Sequence, residues 1–460
     1  MDETFEVEID DISKKGLGVG HFENAKVEIP HTFPGDVALA FLRKKRRGLR
    51  KGRVDKIIRP SPLRVDPMCP HAFLCGGCSW QMMKYEKQLE YKNKIVQDAF
   101  SEITYQSEIE VYPIKPCKDI WHYRNKMEFS FSENKAKTKF LGLMIARANR
   151  YVFNLEKCYL CSSWMSLCLR NIYKWWENSS ILAYDTNTDT GTLRNLTLRE
   201  GKNTNEKMIT LLVSGNSEYA LKKDQINSFV EVVKETLKGH KFSIFLRLQQ
   251  IAKNHPTKFY EMHLYGPDTI EEEVRLEKRS LKFKISPSSF FQPNTHQAQV
   301  IYQQTLDLLD LKQTDIVYDL YCGTGTFGMA MSSFVKRVIA IELNPSAAID
   351  AKENIKLNNI TNMQVYTGDV KEVLQKLLSE NYPSADCVVV DPPRAGLDKK
   401  AIENIFLLKP KKILYVSCNP YTQAENIKDF LQHGYRLKLL QPIDQFPHTP
   451  HVENIAVLEC

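Results

Sequence analysis

The residue with the most chemical reach in this sequence is a cysteine at the end of an apolar run. Tyr415-Val-Ser-Cys418-Asn-Pro420 reads as a short strand stopped by a proline. A lone cysteine in such a place is most often a small core residue. Here polar groups flank it, and its strand follows in order the one that closes with Asp391-Pro-Pro-Arg394. A free thiol, pKa ~8.5, is only slightly ionised near neutrality, so a nucleophile needs a depressed pKa or a local base. The candidate base lies near the C-terminus, in Phe446-Pro-His448-Thr-Pro-His451-Val-Glu453-Asn, a proline-broken loop able to reach into a site. Glu453 is the first choice there, with His448 and His451 as rivals and a plain surface carboxylate as the alternative.

A second set of residues is suited to holding a nucleotide. Asp319-Leu-Tyr321-Cys-Gly323-Thr-Gly325-Thr326 closes an apolar run with two glycines one residue apart, which permits a tight turn and close backbone approach to a ligand. Glu342 ends the next run, nineteen residues past Gly323, where a carboxylate can accept from ribose hydroxyls. Gly368-Asp369 ends the third run and Asp391 the fourth. A helix-capping turn or a nicotinamide dinucleotide site would use similar glycines.

The elements that must position these residues follow from periodicity. From about 286 onward, the short β-branched runs TDIVYDLY, KRVIAIE, MQVYTGD, ADCVVVD and KKILYVS alternate with helical stretches such as NPSAAIDAKENIKLNN. Asn344 caps that helix and Pro345 suits its first turn. Alternation of this kind implies a doubly wound, Rossmann-like α/β domain over 286–460, with ligands at the carboxyl ends of its strands. Residues 1–60 read as a small OB-like β-barrel, with FEVEID, AKVEIP, DVALAFL and GRVDKII separated by the turn signals GLGVG and FPGD. Between them, 61–285 is a mixed α+β central domain. It holds one clear helix, MMKYEKQLEYKNKIVQDAF, and strand-like stretches WHYRNKMEFSFSE, TGTLRNLTLRE and EKMITLLVSG.

The D-x-x-C-G-x-G turn resembles the first motif of S-adenosylmethionine methyltransferases. A methyltransferase needs a thiol when its target carbon is unreactive, as carbon 5 of uracil is. Adding a thiolate to carbon 6 makes an enolate whose carbon 5 can take a methyl, and a base must then remove the carbon-5 proton. DLYCGTGTFG, DPPRAGLD, YVSCNP and PHTPHVE together resemble the RNA uracil-5-methyltransferase family, over nearly the whole chain. That resemblance implies Cys418 as nucleophile and Glu453 as general base. It places S-adenosylmethionine against Gln292 (in FFQPN), Tyr321, Gly323, Gly325, Thr326, Glu342, Asp369 and Asp391, with Thr326 standing where some members carry Asn. Arg394 would organise the site or face the substrate. The first domain would be a TRAM RNA-binding module.

Eleven cysteines are clumped rather than spread. Cys69, Cys75 and Cys78, with Cys158 or Cys161 further on, suit a four-thiolate metal site, zinc or iron–sulfur from chemistry alone, and His71 adds a further donor. The resemblance implies a [4Fe-4S] cluster on Cys69, Cys75, Cys78 and Cys158, as in the ribosomal RNA branch, and with it 23S ribosomal RNA as substrate. Transfer RNA, an RNA cytosine-5-methyltransferase and a non-catalytic RNA-binding assembly factor are the competing readings. Net charge is +8, and eight cations crowd Arg43–Arg53 (Arg43, Lys44, Lys45, Arg46, Arg47, Arg50, Lys51, Arg53), a tract suited to phosphates or simply solvated. In Tyr123-Arg-Asn-Lys126 an aromatic beside cations suits base stacking and phosphate contact. No apolar run nears membrane-helix length. The acidic start MDETFEVEID is unlike a secretory signal, so a cytoplasmic protein is expected, and nothing asks for more than a monomer.

Overall fold

The computed structural model describes residues 4–43, 48–104, 109–146, 148, 151–251, 255–380 and 382–460. The first five strands, β1 (Thr4–Ile12), β2 (Gly18–Phe22), β3 (Ala25–Ile29), β4 (Val37–Leu42) and β5 (Leu49–Arg59), close into a barrel in the order β1-β2-β3-β5-β4. Alternation sends Val7, Ile9, Val27, Ile29 and Ala40 inward to form its core. GLGVG, read above as a turn, divides: Gly16, at φ 73°, ends a turn its amide closes on the Ser13 carbonyl at 2.7 Å, and Gly18–Gly20 enter β2. A Cβ on Gly18 would lie 2.0 Å from Thr32 Oγ1, and one on Gly20 would lie 2.1 Å from the Glu8 carbonyl. Those glycines serve close strand approach, not a reversal. The barrel is tied to the following linker by Asp36, which accepts from Arg64 Nε at 2.6 Å, Arg64 Nη2 at 2.7 Å and the Ser61 amide at 2.8 Å.

After α1 (Tyr85–Thr104) and the two-residue β6 (Glu110–Val111), a seven-stranded sheet forms. Its strands are β7 (Lys126–Glu133), β8 (Lys139–Met144), β9 (Val152–Asn154), β10 (Leu193–Glu200), β11 (Lys207–Ser214), β12 (Phe242–Gln250) and β13 (Lys258–Tyr265). They run in the order β13-β12-β11-β10-β7-β8-β9. Helices α2 (Ser163–Glu177) and α3 (Lys223–Thr236) pack with it around Phe129, Met165, Leu196 and Ile244. A hairpin, β14 (Ile270–Leu276) with β15 (Arg279–Ile285), then leads onward.

The remaining elements alternate: α4 (Thr295–Leu309), β16 (Ile316–Leu320), α5 (Thr326–Met331), β17 (Arg337–Glu342), α6 (Pro345–Leu357), β18 (Met363–Thr367), α7 (Val370–Ser379), β19 (Cys387–Val390), α8 (Lys399–Leu407), β20 (Lys412–Ser417), α9 (Pro420–Gln432), β21 (Arg436–Ile443) and β22 (Glu453–Glu459). The sheet order is β18-β17-β16-β19-β20-β22-β21-β6. The first five strands are parallel, and β22 lies antiparallel to both neighbours. Parallel strands covered on both faces read as continuous apolar runs, as Val388, Val389 and Val390 do at 0% exposure. Asn344 caps α6 by accepting from the Ser346 and Ala347 amides, with Pro345 in the first turn, as its residue types imply. Both ends of the 61–285 stretch belong physically to this layer: α1 packs on α9, β6 pairs with β21, and β14 and β15 pack against α4 and α6. Among the described residues, no helix is long and apolar enough to cross a membrane.

Candidate active site

Strand order brings the reactive residues together. β16 lies at the sheet centre, and the polypeptide diverges to either side of it, so the carboxyl ends of β16, β17, β18, β19 and β20 open on one crevice. At the end of β16 the chain turns through Tyr321 at φ 67°, Gly323 at φ 56° and Gly325 at φ 85°. A left-handed tyrosine is a strained choice, of the sort that persists where surrounding structure holds it. A Cβ on Gly323 would meet nothing within 4 Å, so open space lies beside its backbone. On Gly328 a Cβ would lie 2.6 Å from Met363 Cε and 3.0 Å from Asp319 Oδ2, so this third glycine lets α5 sit against the sheet. Gly323, Gly325 and Gly328 do stand at G-x-G-x-x-G spacing, so glycines alone do not separate a dinucleotide from another nucleotide.

Carboxylates ring the turn. Glu342 Oε2 accepts from the Gly323 amide at 2.8 Å and its Oε1 from the Asn344 amide at 2.7 Å. Asp319 accepts from the Gly328 amide at 2.8 Å, and burial pushes its carboxyl up to about 7. Asp369 caps α7 through the Lys371 amide. Tyr321 is half-buried and its phenol is pushed up to about 12 by burial, then by Asp398 and Asp369 nearby. Thr326 is buried beside the Tyr302 phenol in the core. Asp391 accepts from Gln292 Nε2 at 3.4 Å, and burial lifts its carboxyl to about 7. The cradle therefore offers glycine backbone beside open space, with acceptors at the strand ends, which fits a ligand bearing ribose hydroxyls and a cationic centre.

Register places the thiol beside the carboxylate. Ser417 on β20 pairs with Asn454 on β22, so the next step outward sets Cys418 opposite Glu453. Burial pushes the Cys418 thiol up to about 11, helped by Glu453 and opposed by Arg394. Glu453 is 4% exposed, and burial lifts it to about 8, helped by Asp391 and opposed by Arg394. The two histidines fare differently. Arg394 Nη2 donates to His451 Nδ1 at 3.1 Å, which occupies that lone pair. His448 is buried, stacks on Trp121 with ring centres 3.8 Å apart, and is pushed down to about 4 by burial and then by Lys92. Arg394 itself belongs to a loop clamped by Asn426, whose Oδ1 accepts from the Leu397 amide and the Tyr415 hydroxyl.

Reading residue types missed the scaffold of the loop that leads to Glu453. Lys92 on α1 is fully buried and donates to Asp444 Oδ1 at 2.5 Å and to the Phe446 carbonyl at 2.9 Å. Tyr85 donates to Asp444 Oδ2 at 2.7 Å, and Gln88 Oε1 accepts from the His448 amide at 2.8 Å. A signal existed: Gln88 and Lys92 sit on the same helical stripe as Val96 and Phe100. The expected stacking role of Tyr123 is not what the structure shows. Tyr123 is 2% exposed with its hydroxyl on the Pro447 carbonyl, and Asn125 is buried against Gln292 and Thr295. Of the basic tract, Lys44–Arg47 lie outside the described residues, Arg50 pairs with Glu23 at 2.6 Å, and Arg43, Lys51 and Arg53 are exposed.

Cys69, Cys75, Cys78 and Cys158 line one cavity of about 230 Å³ with His71 and Arg124, and all four are free thiols. Among the described residues no three potential ligands stand at metal-binding spacing, so an assembled ligand set is not present. The donor chemistry nonetheless fits a thiolate-bound group: the cavity is shared, and each of these sulfurs feels others of the set electrostatically. Cys161 Sγ donates to the Cys158 carbonyl at 3.7 Å, and the two neighbouring thiols push Cys158 down and the buried Cys161 up. His71 Nε2 is buried without a partner among the described residues, which keeps a mixed ligand set chemically open.

Comparison with known proteins bears on this geometry. A family model described as tRNA (Uracil-5-)-methyltransferase matches residues 84–460. An uncharacterized RNA methyltransferase of Protochlamydia amoebophila is 47% identical over 441 residues, covering 94% of this chain and 99% of its own. Another, from Halalkalibacterium halodurans, is 34% identical, covering 99% of this chain and 96% of its own. A crystal structure of Pyrococcus abyssi tRNA (uracil-54, C5)-methyltransferase with S-adenosyl-L-homocysteine superposes with a TM-score of 0.75 at 25% identity, over 99% of this chain and 100% of that one.

Proposed function

The chain belongs to the tRNA (uracil-5-)-methyltransferase family, the S-adenosylmethionine-dependent RNA methyltransferases that modify carbon 5 of uracil, and on that premise we propose that Cys418 is its nucleophile and Glu453 its base. The observation that carries the reading is the register of β20 and β22, which sets the thiol opposite a buried carboxyl at the mouth of the crevice. S-adenosylmethionine supplies an electrophilic methyl group; Gln292, Tyr321, Gly323, Gly325, Glu342, Asp369 and Asp391 are the residues we assign to holding it, and Thr326 shapes the pocket floor.

The target uridine must leave its stack to reach Cys418, at a cost of a few kcal/mol. Cys418 Sγ gives its proton to solvent and adds to carbon 6, which places negative charge on the ring and its oxygen; the thiolate expelled at the end takes a proton back. Arg394 stands where it can offset that charge. Carbon 5 bonds to the methyl as the donor's sulfur–methyl bond breaks, S-adenosylhomocysteine leaves with the electron pair, and carbon 5 becomes tetrahedral. Glu453, ionised, then takes the carbon-5 proton; the electrons return to the ring and expel the Cys418 thiolate. A carboxyl held near 8 suits this work, since a base is most effective with a pKa close to the working pH.

For the substrate we propose ribosomal RNA, 23S in particular, because the cysteine quartet is tied to that branch by motif resemblance; the barrel lies within the stretch shared with the Pyrococcus abyssi enzyme and does not discriminate. Transfer RNA is a second reading, favoured by the full-length likeness to the Pyrococcus abyssi enzyme. We assign a [4Fe-4S] cluster to Cys69, Cys75, Cys78 and Cys158; methyl transfer moves no electrons, so the group would brace the fold. Incubation with labelled methyl donor and unmodified 23S or transfer RNA transcripts, followed by nucleoside mass spectrometry, tests the assignment. 5-Methyluridine in the 23S transcript alone is expected, and label confined to transfer RNA or to cytidine would overturn it.

A further inference from the structure

Gln292 reaches the crevice from a segment whose backbone is held at several points. The Asn125 side chain donates to the Gln292 carbonyl at 2.8 Å, the Asn125 amide donates to the Pro293 carbonyl at 2.8 Å, and Asn294 caps α4. What the backbone does not settle is the last torsion of the Gln292 side chain. A terminal sp³–sp² torsion has broad, nearly twofold preference, so hydrogen bonds alone decide which way an amide faces. One face leads to Asp391 Oδ2, 3.4 Å from Gln292 Nε2. On the other side stands Gln445, whose Nε2 donates to Gln292 Oε1 at 3.3 Å.

The Gln445 backbone is itself rigidly held, and its side-chain amide has Gln292 as its partner. The residue is 0% exposed, and Asn294 Nδ2 donates to its carbonyl at 3.1 Å. The preceding residue, Asp444, is pinned by Lys92, by the Tyr85 hydroxyl, and by its own amide donating to the Lys115 carbonyl at 2.9 Å. Gln445 Oε1 is buried with no partner among the described residues. A buried unpaired carbonyl oxygen costs stability, so this side chain is not placed there for its own satisfaction. Its donor is what the site uses. If Gln292 turned over while Gln445 kept its orientation, its NH₂ would meet the Gln445 NH₂ and its oxygen would meet a carboxylate, two like-with-like contacts at once.

We infer that Gln445 is a positioning residue that fixes the orientation of the Gln292 amide, so that the Gln292 NH₂ is presented to Asp391 and to the methyl-donor pocket. The inference rests on the reading of Gln292 and Asp391 as contacts of the methyl donor, and the test separates the two. Affinity for S-adenosylhomocysteine is measured by calorimetry on the full chain for Gln445→Met, Gln292→Met and the double variant, with KM for the methyl donor and kcat alongside. Gln445→Met keeps size and removes the donor; it should weaken binding roughly five- to tenfold, the loss of one hydrogen bond, and raise KM more than it lowers kcat. On the Gln292→Met background the same change should do nothing further, because there is no amide left to orient. Gln445→Glu is nearly isosteric and can only accept, so it should reproduce the loss by turning the Gln292 NH₂ away from Asp391. Losses that multiply in the double variant, or a normal affinity in Gln445→Met beside a weakened Gln292→Met, would overturn the positioning role alone. Normal affinity in Gln292→Met would overturn both it and the pocket reading beneath it.

Discussion

Replacing Glu453 by glutamine separates catalysis from stability with opposite signs. The carboxyl is 4% exposed, and burial lifts it from an ordinary 4.5 to about 8. Because its folded value lies above its unfolded one, the stability it contributes is fully present below about pH 4.5 and is lost as pH rises through about 8. At 1.36 kcal/mol for each pH unit between the two values, the penalty grows from under about 1 kcal/mol at pH 5 to about 4 kcal/mol at pH 8. Glutamine has the same shape and does not titrate, so Glu453→Gln should match the wild type near pH 5 and exceed it in Tm by several degrees at pH 8. Asp319, also lifted to about 7, remains in both proteins and cancels from the difference, while Asp391, which repels the ionised Glu453, is relieved in the variant and adds to its advantage at high pH. In the same variant kcat should fall at least roughly a hundredfold, since the carbon-5 proton has no acceptor, and ordinary substrate RNA should accumulate as a covalent adduct. Thermal melts from pH 5 to 9, together with turnover assays, check both halves. A Tm difference that stays flat with pH, or a variant that turns over normally, would refute the reasoning.

Other expectations follow from single contacts. Lys92→Met leaves Asp444 buried without its cation and should destabilise the protein by about 3–5 kcal/mol, with Lys92→Met/Asp444→Asn recovering much of the lost Tm. Gly325→Ala forces a side chain into φ 85° with its Cβ 3.2 Å from Met329 Cε, and should weaken S-adenosylhomocysteine binding measurably by calorimetry, roughly tenfold or more. Anaerobically prepared protein should carry iron and sulfide with visible absorbance that Cys78→Ser abolishes; a colourless protein with stoichiometric zinc would contradict the cluster.

What could be read from residues alone was whatever is local. The five parallel strands announce themselves as β-branched runs, and Asn344-Pro345 sets the start of α6 without tertiary help. The thiol and its carboxyl were recognisable by type and motif, whereas their adjacency depends on β22 inserting between β20 and β21, a long-range pairing no local pattern records. Gly18 and Gly20 looked like turn residues because a sequence does not distinguish glycine for curvature from glycine for close approach. Tyr123 looked like an RNA contact by composition, yet its hydroxyl's partner at Pro447 lies far along the chain. The place of Lys92 on the apolar stripe of α1 was legible, but its role was not: a buried ammonium makes sense only once Asp444, 352 residues away, is seen beside it.

The central claim is that a sulfur bonds transiently to the pyrimidine. RNA carrying 5-fluorouridine at the target, mixed with enzyme and S-adenosylmethionine, tests it most directly, because fluorine at carbon 5 cannot leave as a proton and the intermediate is held. A stable protein–RNA adduct on a denaturing gel, mapped by peptide mass to Cys418 and absent from Cys418→Ala, is the predicted result. An adduct that survives in Cys418→Ala, or that maps to another cysteine, would contradict the account.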